Sequence, residues 1–279
     1  MSDEPNMEHG DASRLDGRVA VVTGAGSQTG GIGNGRAAAI LLARRGAKVA
    51  LLDREAAPAE QTRAMIEAEG GTARAFACDV AVDADCAETV AKIAALWGPP
   101  TILVNNVGVR GPLGYADALD LDEWDQAMKI NVTSMMLMAR HCLPHMKAAG
   151  GGSIVNISSV AGLQGGHPHL LYPTAKGAVV NMTRAMAAHH GGDGVRVNCV
   201  CPGMVFTPMV YGAGMTEERR EARRKRSILQ VEGSGWDVGE AVTFLSSDAA
   251  RWITGLIMPV DAGATAGRAP DLAGGAPPS

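Results

Sequence analysis

Short apolar runs alternate with longer segments of helical periodicity along most of the chain. The apolar runs are rich in Val, Ile, Leu and Ala, and such unbroken runs are typical of strands that are covered on both faces. The predicted strands are residues 18–23, 48–53, 73–77, 101–105, 153–158, 195–200 and 256–260. The helices predicted between them are residues 34–45, 57–69, 83–97, 121–149, 174–190 and 237–246.

The order of these segments predicts an α/β fold. Buried strands that are joined through helices pair in parallel, and right-handed crossovers place the helices on both faces of one sheet. We therefore expect a single-domain, doubly wound parallel sheet of the Rossmann type, with about seven strands, over residues 16–264. Residues 1–15 are polar and residues 265–279 are rich in Gly, Ala and Pro, which predicts two flexible tails.

Composition narrows the class of protein further. The chain has 279 residues, of which 46% are hydrophobic and 19% charged, so a large core is expected. A net charge of −4 argues against a protein that coats nucleic acid or binds membranes through a basic patch. No apolar run is long enough to cross a bilayer, and the N-terminus does not look like a signal peptide. Five cysteines without a Cys-x-x-Cys pair predict reduced thiols and a cytoplasmic location.

A glycine-rich segment connects the first predicted strand to the first predicted helix. Its glycines are Gly24, Gly26, Gly30, Gly31, Gly33 and Gly35. Glycine lets the backbone turn sharply and approach a ligand closely, and the N-terminus of the next helix offers N–H groups to a pyrophosphate. The position between strand and helix therefore favours a dinucleotide site over a merely flexible loop.

Asp53 ends the second predicted strand. A carboxylate at this position accepts hydrogen bonds from an adenosine ribose and repels the additional phosphate of NADP. The alternative is an Asp that only caps the following helix. Arg54 comes next and weakens the repulsion, so NAD is the predicted cofactor and NADP the less favoured one.

Further polar and glycine residues follow the later strands in a fixed order. They are Asp79, Asn105-Asn106-Val107-Gly108, Asn131, Ser159, Tyr172-x-x-x-Lys176 and Pro202-Gly203-x-x-x-Thr207. Together with Thr23-Gly24, this set resembles the classical short-chain dehydrogenase/reductase family over about residues 16–264. A lone Tyr-x-x-x-Lys motif is common by chance, whereas the whole ordered set is specific. The resemblance implies an NAD(H)-dependent oxidoreductase that interconverts a secondary alcohol and a ketone.

The resemblance also implies four catalytic residues, Asn131, Ser159, Tyr172 and Lys176. Tyr172 exchanges a proton with the substrate oxygen, Ser159 hydrogen-bonds that oxygen, and Asn131 holds a water that relays protons to Lys176. A free Tyr has a pKa near 10, and lowering it by two to three units requires roughly 3–4 kcal/mol. An ammonium four residues further along a helix lies on the same face and can supply this. Pro173 pushes Tyr172 away from helical dihedrals, so the shared face is approximate.

A larger set of residues is expected to line the cofactor cleft. They are Gly24, Ser27, Ile32, Gly33, Asn34, Gly35, Asp53, Asp79, Val80, Asn106, Gly108, Tyr172, Lys176, Pro202, Gly203, Val205 and Thr207. The family pattern Thr-Gly-x-x-x-Gly-x-Gly does not fit directly after Gly24. Counting back from Gly46 places the paired glycines at Gly33 and Gly35, which implies five additional loop residues. Gly31 and Gly33, with three additional residues, are the alternative pair.

Residues 208–235 lie where this family has a mobile lid over the substrate. The expected substrate contacts are Gln164, Met204, Phe206, Met209 and Tyr211, with ordinary lid packing as the alternative for the apolar ones. The charged run 217–226 has mixed signs at helical spacing and predicts a solvated helix face. His167 and His169 lack the further ligands of a metal site, so no metal is expected, and both are placed at the substrate entrance.

Two other functions stay open. An NADPH-dependent 3-oxoacyl-type reductase usually has a basic residue where Asp53 stands. A dinucleotide-binding regulator without turnover does not need a complete catalytic set. The substrate is a small molecule that the sequence does not identify, because specificity lies in the lid and loops. The long apolar helices over residues 121–149 and 174–190 are expected to pair between subunits, as in the homotetramers that this family commonly forms.

Overall fold

The predicted alternation of strands and helices is present in the computed structural model, which describes residues 11–27, 30–211 and 214–267. The strands of this part of the chain are β1 (Val19–Thr23), β2 (Lys48–Asp53), β3 (Thr72–Ala77), β4 (Pro100–Asn105), β5 (Gly152–Ile157), β6 (Val195–Pro202) and β7 (Ile257–Val260). They form one parallel sheet in the order β3-β2-β1-β4-β5-β6-β7. The strand order reverses between β1 and β4, and ligands of doubly wound sheets bind at the carboxyl ends beside that position.

Helices cover both faces of the sheet. They are α1 (Asn34–Arg44), α2 (Ala56–Ala68), α3 (Asp83–Trp97), α4 (Leu121–Met128), α5 (Ser134–Ala148), α6 (Leu171–His190), α7 (Pro208–Tyr211), α8 (Glu217–Arg224) and α9 (Gly235–Ser246). Successive side chains of a strand point to opposite faces. Ala20 and Val22 of β1 accordingly pack with α1, α2 and α9, while Val19 and Val21 pack with α3, α5 and α6. None of the described helices is both long and apolar enough to cross a membrane.

The single helix predicted over residues 121–149 is interrupted. A π-helical turn, Lys129–Thr133, separates α4 from α5. The Asn131 side chain lies in this turn and donates to the backbone oxygens of Ala127 and Val109 at 2.9 and 3.0 Å. Hydrophobic periodicity does not reveal such a turn, because the Asn131 side chain in it is held by Val109, which belongs to another segment. π-Turns occur frequently at functional sites.

Helix α6 begins at Leu171, three residues before the predicted start. Tyr172 therefore lies inside the helix, and the expectation that Pro173 displaces it from helical geometry is wrong. Proline is tolerated here because the N–H groups of the first helical turn have no partner within the helix. The four-residue spacing of Tyr172 and Lys176 is thus a true helical spacing.

The packed domain begins earlier than residue 16. Leu15 is 1% exposed, and its N–H donates to the Arg45 oxygen at 2.7 Å, so this end of the predicted tail 1–15 packs against the end of α1. Thr265 similarly hydrogen-bonds Asp261 through its N–H and hydroxyl. The sequence does not predict the burial of Leu15, because a single apolar residue in a polar segment forms no periodic pattern. Residues 1–10 and 268–279 lie outside the described residues.

Candidate active site

The glycine-rich segment turns tightly above the switch point of the sheet. Gly24, directly after β1, has a φ of 62°, which favours glycine. A Cβ on Gly35 would overlap the Gly24 carbonyl oxygen and the Asn106 side-chain amide, so α1 packs closely on the turn. A Cβ on Gly33 would meet nothing within 4 Å, and that residue faces open space. Close packing occurs at Gly35 and also at Gly31, so the pairing of Gly33 with Gly35 stays a prediction beside the alternative of Gly31 with Gly33.

Arg36 holds the lengthened loop from the inside, and sequence reasoning missed it. Its side chain is 1% exposed. Nη1 donates to the carbonyl oxygens of Gly30 and Gly31 at 2.8 and 2.9 Å, and Nε donates to Thr62 Oγ1 at 2.9 Å. Thr62 Oγ1 in turn donates to the Ala25 oxygen at 2.8 Å. Burial lowers the pKa of Arg36. The one signal in the sequence is a charged residue directly before the apolar run of α1.

Two polar atoms at this segment fit a bound diphosphate. Ser27 Oγ and Asn34 Oδ1 are buried and have no hydrogen-bond partner among the described residues. Buried polar atoms without a partner are unfavourable, so each of these calls for a ligand group or water. The first turn of α1 contains no acidic residue, and no side chain caps it. Its N–H groups beside Gly33 are therefore suited to an anion.

Asp53 lies at the end of β2 beside the glycine-rich segment. Its Oδ2 accepts a hydrogen bond from the Gly26 N–H at 3.0 Å, and its Oδ1 has only a long contact of 3.5 Å with the Glu55 N–H. The N-cap of α2 is Glu55, so the capping alternative for Asp53 does not hold. One carboxylate oxygen is thus anchored by the loop, and the other keeps capacity for a further donor.

The residues after β3 and β4 reach the same edge of the sheet. Asp79 Oδ1 accepts from the Ala81 N–H at 2.9 Å, which orders the turn that contains Val80. Asn106 Nδ2 donates to the carbonyl oxygens of Thr23 and Gly24 at 3.1 and 3.0 Å. These bonds tie the ends of β1 and β4 together and hold the floor of the predicted cleft.

The four predicted catalytic residues come together from three segments. A Cβ on Gly108 would lie 3.0 Å from Asn131 Oδ1 and 3.1 Å from Lys176 Nζ, so both side chains meet at this glycine. Lys176 Nζ donates to the Ile157 oxygen at 3.0 Å and lies 5.8 Å from the centroid of the Tyr172 ring.

Ser159 follows β5 and contributes the fourth side chain. Its Oγ accepts from the Ala161 N–H at 3.2 Å, and its side chain interacts with that of Tyr172. Convergence at the carboxyl ends of β4 and β5 is what the parallel sheet predicts for residues that follow neighbouring strands.

The pKa values differ from the expectation at one residue. Burial raises the pKa of Tyr172, although the Ser159 side chain and the Arg110 cation act in the opposite direction. Burial lowers the pKa of Lys176 to about 8, so its ammonium persists at neutral pH. The predicted lowering of the Tyr172 pKa is therefore not a property of the protein alone, because burial of a phenolate outweighs the Ser159 hydrogen bond and the Arg110 cation.

The segment predicted as a lid, residues 208–235, contains two short helices, α7 and α8. The Phe206 and Tyr211 rings are 5.0 Å apart, and a Cβ on Gly31 would overlap the Tyr211 hydroxyl. Tyr211 therefore packs on the glycine-rich segment. Gln164 is exposed and Met204 partly buried. The Met209 side chain lies outside the described residues.

The His167 ring lies beside the catalytic tyrosine predicted from the sequence, with its centroid 5.3 Å from that of Tyr172. At the nicotinamide end of the predicted cleft, Pro202 ends β6, and the Gly203 N–H donates to the Val260 oxygen at 2.9 Å. Val205 and Thr207 are buried.

Comparisons with known proteins agree with this geometry. Residues 26–265 match the family described as Enoyl-(Acyl carrier protein) reductase. The 2-(S)-hydroxypropyl-CoM dehydrogenase 3 of Xanthobacter autotrophicus is 39% identical over 259 residues, which are 91% of this chain and 99% of that protein. A solved putative short-chain dehydrogenase/reductase from Burkholderia xenovorans is 39% identical, with a TM-score of 0.87 over 91% of this chain and 98% of that one. A 7 alpha-hydroxysteroid dehydrogenase, complexed with NADH and 7-oxo glycochenodeoxycholic acid, is 31% identical, with a TM-score of 0.84 over 92% and 98%.

The predicted fold class and family are confirmed by these matches. The identities exceed 30% over about nine-tenths of the chain, and the chain spans nearly the whole length of each relative. The family binds a nicotinamide dinucleotide and transfers hydride at CH–OH groups. The chain therefore belongs to the short-chain dehydrogenase/reductase family and is an oxidoreductase.

Proposed function

We propose that this protein interconverts a secondary alcohol and a ketone with NAD(H), and that Tyr172 is its general acid and base. The observation that supports the proposal is the arrangement of four side chains in a chain of this family. Asn131 and Lys176 meet at Gly108, Lys176 Nζ lies 5.8 Å from the centroid of the Tyr172 ring, and the Ser159 side chain interacts with that of Tyr172. The nicotinamide ring accepts or donates the hydride when it is bound.

Each of the four side chains has one task in this proposal. Tyr172 Oη takes the proton from the alcohol oxygen or returns it to the ketone, and Ser159 Oγ hydrogen-bonds that oxygen and fixes its orientation. Lys176 stabilises the phenolate through its positive charge. The Ile157 carbonyl oxygen accepts a hydrogen bond from the Lys176 ammonium and helps to hold it in place. Asn131 Oδ1 accepts from the Val109 N–H and has a second lone pair for a water between itself and Lys176.

The proposed cofactor is NAD, because Asp53 Oδ1 can accept from a ribose hydroxyl and its charge opposes an additional phosphate. Ser27, Asn34 and the first turn of α1 would hold the diphosphate. Asp79 and Val80 would contact the adenine, and Asn106 and Gly108 would line the adenosine side of the cleft. The residues proposed around the nicotinamide are Tyr172, Lys176, Pro202, Gly203, Val205 and Thr207.

A panel of diverse secondary alcohols, oxidised with NAD or NADP and followed by absorbance of the reduced cofactor, tests both parts of the proposal. We expect kcat/KM to favour NAD by roughly 10- to 100-fold, because like charges brought together are strongly unfavourable. Asp53→Ala should lower this ratio at least about tenfold, since it removes the repulsion and the ribose acceptor together.

Glu55→Ala is the matched control, because it removes a neighbouring acid that has no place in the proposed ribose site. It should leave the cofactor ratio as it is. A protein that oxidises no alcohol with either cofactor contradicts the reaction, whereas an Asp53→Ala ratio equal to that of the wild type contradicts only the cofactor assignment.

We further propose a homotetramer that is assembled through the faces of α4, α5 and α6. Leu121, Met136 and Leu170 are large apolar residues on or beside these helices, and each is exposed in the single chain. Exposed apolar side chains on long helices are typical of surfaces that pair with a second copy. Light scattering on the eluted protein is expected to give four chains; a mass of one chain contradicts the proposal.

The proposed location is the cytoplasm. Cys78, Cys86, Cys142, Cys199 and Cys201 are all buried and free. Free thiols in pairs as close as Cys199 and Cys201, whose sulfurs are 3.8 Å apart, suit a reducing compartment. Fractionation of the source cells tests this placement, and recovery of the protein from an extracellular fraction contradicts it.

A further inference from the structure

The His167 ring packs against the tyrosine that we propose as general acid and base. The centroids of the His167 and Tyr172 rings are 5.3 Å apart, and the planes of the two rings are inclined by 31°. This separation lies in the range of aromatic rings that are in contact. Both side chains are partly buried. A substrate whose oxygen reaches the Tyr172 hydroxyl is therefore also close to the His167 imidazole.

Backbone hydrogen bonds hold the His167 ring in this position. Its Nδ1 lies 3.0 Å from the carbonyl oxygen of His169 and 3.2 Å from the backbone nitrogen of the same residue. The His169 side chain is itself anchored, because its Nδ1 accepts from the Gly114 N–H at 3.2 Å. The Gly114 oxygen accepts from the Leu170 N–H at 3.1 Å. The segment that contains His167 is thus joined to the loop that follows β4.

The second ring nitrogen of His167 is available to a ligand. In the part of the chain that the structure describes, Nε2 forms no hydrogen bond, and it is not one of the buried polar atoms. Nε2 therefore faces space that solvent or a ligand occupies. One nitrogen of the ring is used for anchoring, and the other is a polar group beside the proposed proton-transfer residue.

The anchoring of Nδ1 suits both neutral forms of the imidazole. When the proton is on Nε2, Nδ1 accepts from the His169 N–H, and when the proton is on Nδ1, it is donated to the His169 oxygen. Nε2 is a donor in the first form and an acceptor in the second. A nitrogen that serves in either role matches a hydroxyl group, which both donates and accepts, and in the first form it also matches a carbonyl oxygen.

We propose that His167 Nε2 binds a second oxygen of the substrate, on the carbon next to the carbinol, so that the enzyme acts on vicinal diols and hydroxy ketones. This inference rests on the proposed function and names its substrate class. Two rings in contact can both bind one small molecule where its two oxygens are close together, as on adjacent carbons. In the oxidation, the carbinol carbon loses a hydride to the nicotinamide and its oxygen loses a proton to Tyr172, while the oxygen at His167 is unchanged.

Two substitutions separate substrate binding by His167 from support of the Tyr172 ring. His167→Phe keeps a planar ring beside Tyr172 and removes both nitrogens. His167→Gln removes the ring and supplies an amide that donates and accepts. A ring that only supports Tyr172 would make the Phe variant the better enzyme for every alcohol, whereas a ring that binds a second oxygen makes the Gln variant the more selective one.

The test measures NAD-dependent oxidation of 2-hexanol and of 2,3-, 2,4- and 2,5-hexanediol, which share one carbon chain. We expect kcat/KM for 2,3-hexanediol to exceed that for 2-hexanol at least about tenfold, because an analogue without the hydroxyl leaves the binding group unpaired. The preference should be smaller for the other two diols, whose oxygens are further apart. His167→Phe should bring the ratio for 2,3-hexanediol down to about one, mainly through a higher KM, and His167→Gln should retain part of it.

His189→Phe is the matched control, because it makes the same substitution at the exposed, opposite end of α6. It should leave the ratio between diol and 2-hexanol unchanged. The ratio is measured within each protein, so a general loss of activity in a variant cancels. The diol site is overturned if His167→Phe keeps the wild-type ratio, or if 2,4- or 2,5-hexanediol gives a larger ratio than 2,3-hexanediol.

Thermal unfolding with NADH separates this inference from the proposed reaction, because an alcohol and the reduced cofactor do not react with each other. At equal concentration, 2,3-hexanediol should raise Tm more than 2-hexanol does, and His167→Phe should abolish the difference. This result without any oxidation by NAD supports the diol site and contradicts the proposed reaction. Oxidation of 2-hexanol as efficiently as of all three diols overturns the diol site and leaves the reaction intact.

Discussion

Tyr172→Phe is expected to lower kcat for alcohol oxidation by about 10³-fold or more while the affinity for NADH stays within about threefold. General acid–base catalysis by a positioned side chain contributes roughly 10²–10⁴-fold, and this substitution removes the only proposed proton acceptor at the substrate oxygen. The phenyl ring keeps its place in the first turn of α6 and its contact with the His167 ring, whose centroid is 5.3 Å away. Steady-state rates and titration of NADH fluorescence measure the two effects separately.

Tyr115→Phe is the matched control for this experiment. Tyr115 is 71% exposed, and the same loss of a hydroxyl there should leave both kcat and NADH affinity unchanged. Retention of more than about a tenth of the wild-type kcat by Tyr172→Phe would refute the proton-transfer role, since even the low end of general acid–base catalysis exceeds tenfold. A matching loss of NADH affinity would indicate a binding role instead.

Lys176→Met is expected to abolish most of the activity and at the same time to stabilise the fold. The Lys176 side chain is 4% exposed, and burial lowers its pKa from 10.5 to about 8. A depression of that size corresponds to roughly 3 kcal/mol of penalty for burying the ammonium at neutral pH. Loss of the hydrogen bond to the Ile157 oxygen destabilises the variant by about 1 kcal/mol and so offsets part of the gain from removing the buried charge. The variant should therefore be more stable by about 2 kcal/mol at pH 7.

The stability gain has a definite pH dependence. Below about pH 8 the lysine is protonated in both the folded and the unfolded chain, so the full penalty applies and does not change with pH. Between about pH 8 and 10.5 the folded chain releases the proton while the unfolded chain keeps it, and the wild type becomes more stable as pH rises. The difference in unfolding free energy between Lys176→Met and the wild type should therefore shrink over this window.

Urea unfolding of both proteins at pH 7 and pH 10 measures this difference, and taking the difference cancels the titration of all groups that the two proteins share. Lys92→Met is the control, because Lys92 is exposed and pairs with Glu88 on the surface of α3. Its stability should follow that of the wild type at both pH values. A Lys176→Met protein that is less stable than the wild type at pH 7 contradicts the penalty for the buried charge.

These two expectations together describe how the site is built. Lys176 is buried and Tyr172 is partly buried, and this burial shifts both pKa values toward the neutral forms. The protein keeps an unfavourable ammonium because the proposed chemistry requires a cation beside the phenol. Functional sites of this kind are commonly less stable than the same positions filled by apolar residues.

Local sequence patterns were sufficient for most of the secondary structure. The predicted strand 48–53 and helix 83–97 have the same bounds as β2 and α3. Both segments have clear apolar periodicity, which depends only on neighbouring residues. The prediction of one uninterrupted helix over 121–149 was wrong, because a hydrogen bond of the π turn is made to Val109, which belongs to another segment. The predicted start of α6 was wrong because the sequence does not distinguish a proline in the first turn of a helix from a proline that lies outside it.

The sequence by itself determined the α/β class, the family and the candidate catalytic and cofactor residues, because an ordered set of motifs and the periodicity of apolar residues are properties of the chain alone. Only the tertiary structure decided that Arg36 supports the glycine-rich loop and that burial raises the pKa of Tyr172. Burial and the approach of distant charges arise when the strands align and the helices pack, so no spacing along the chain encodes them.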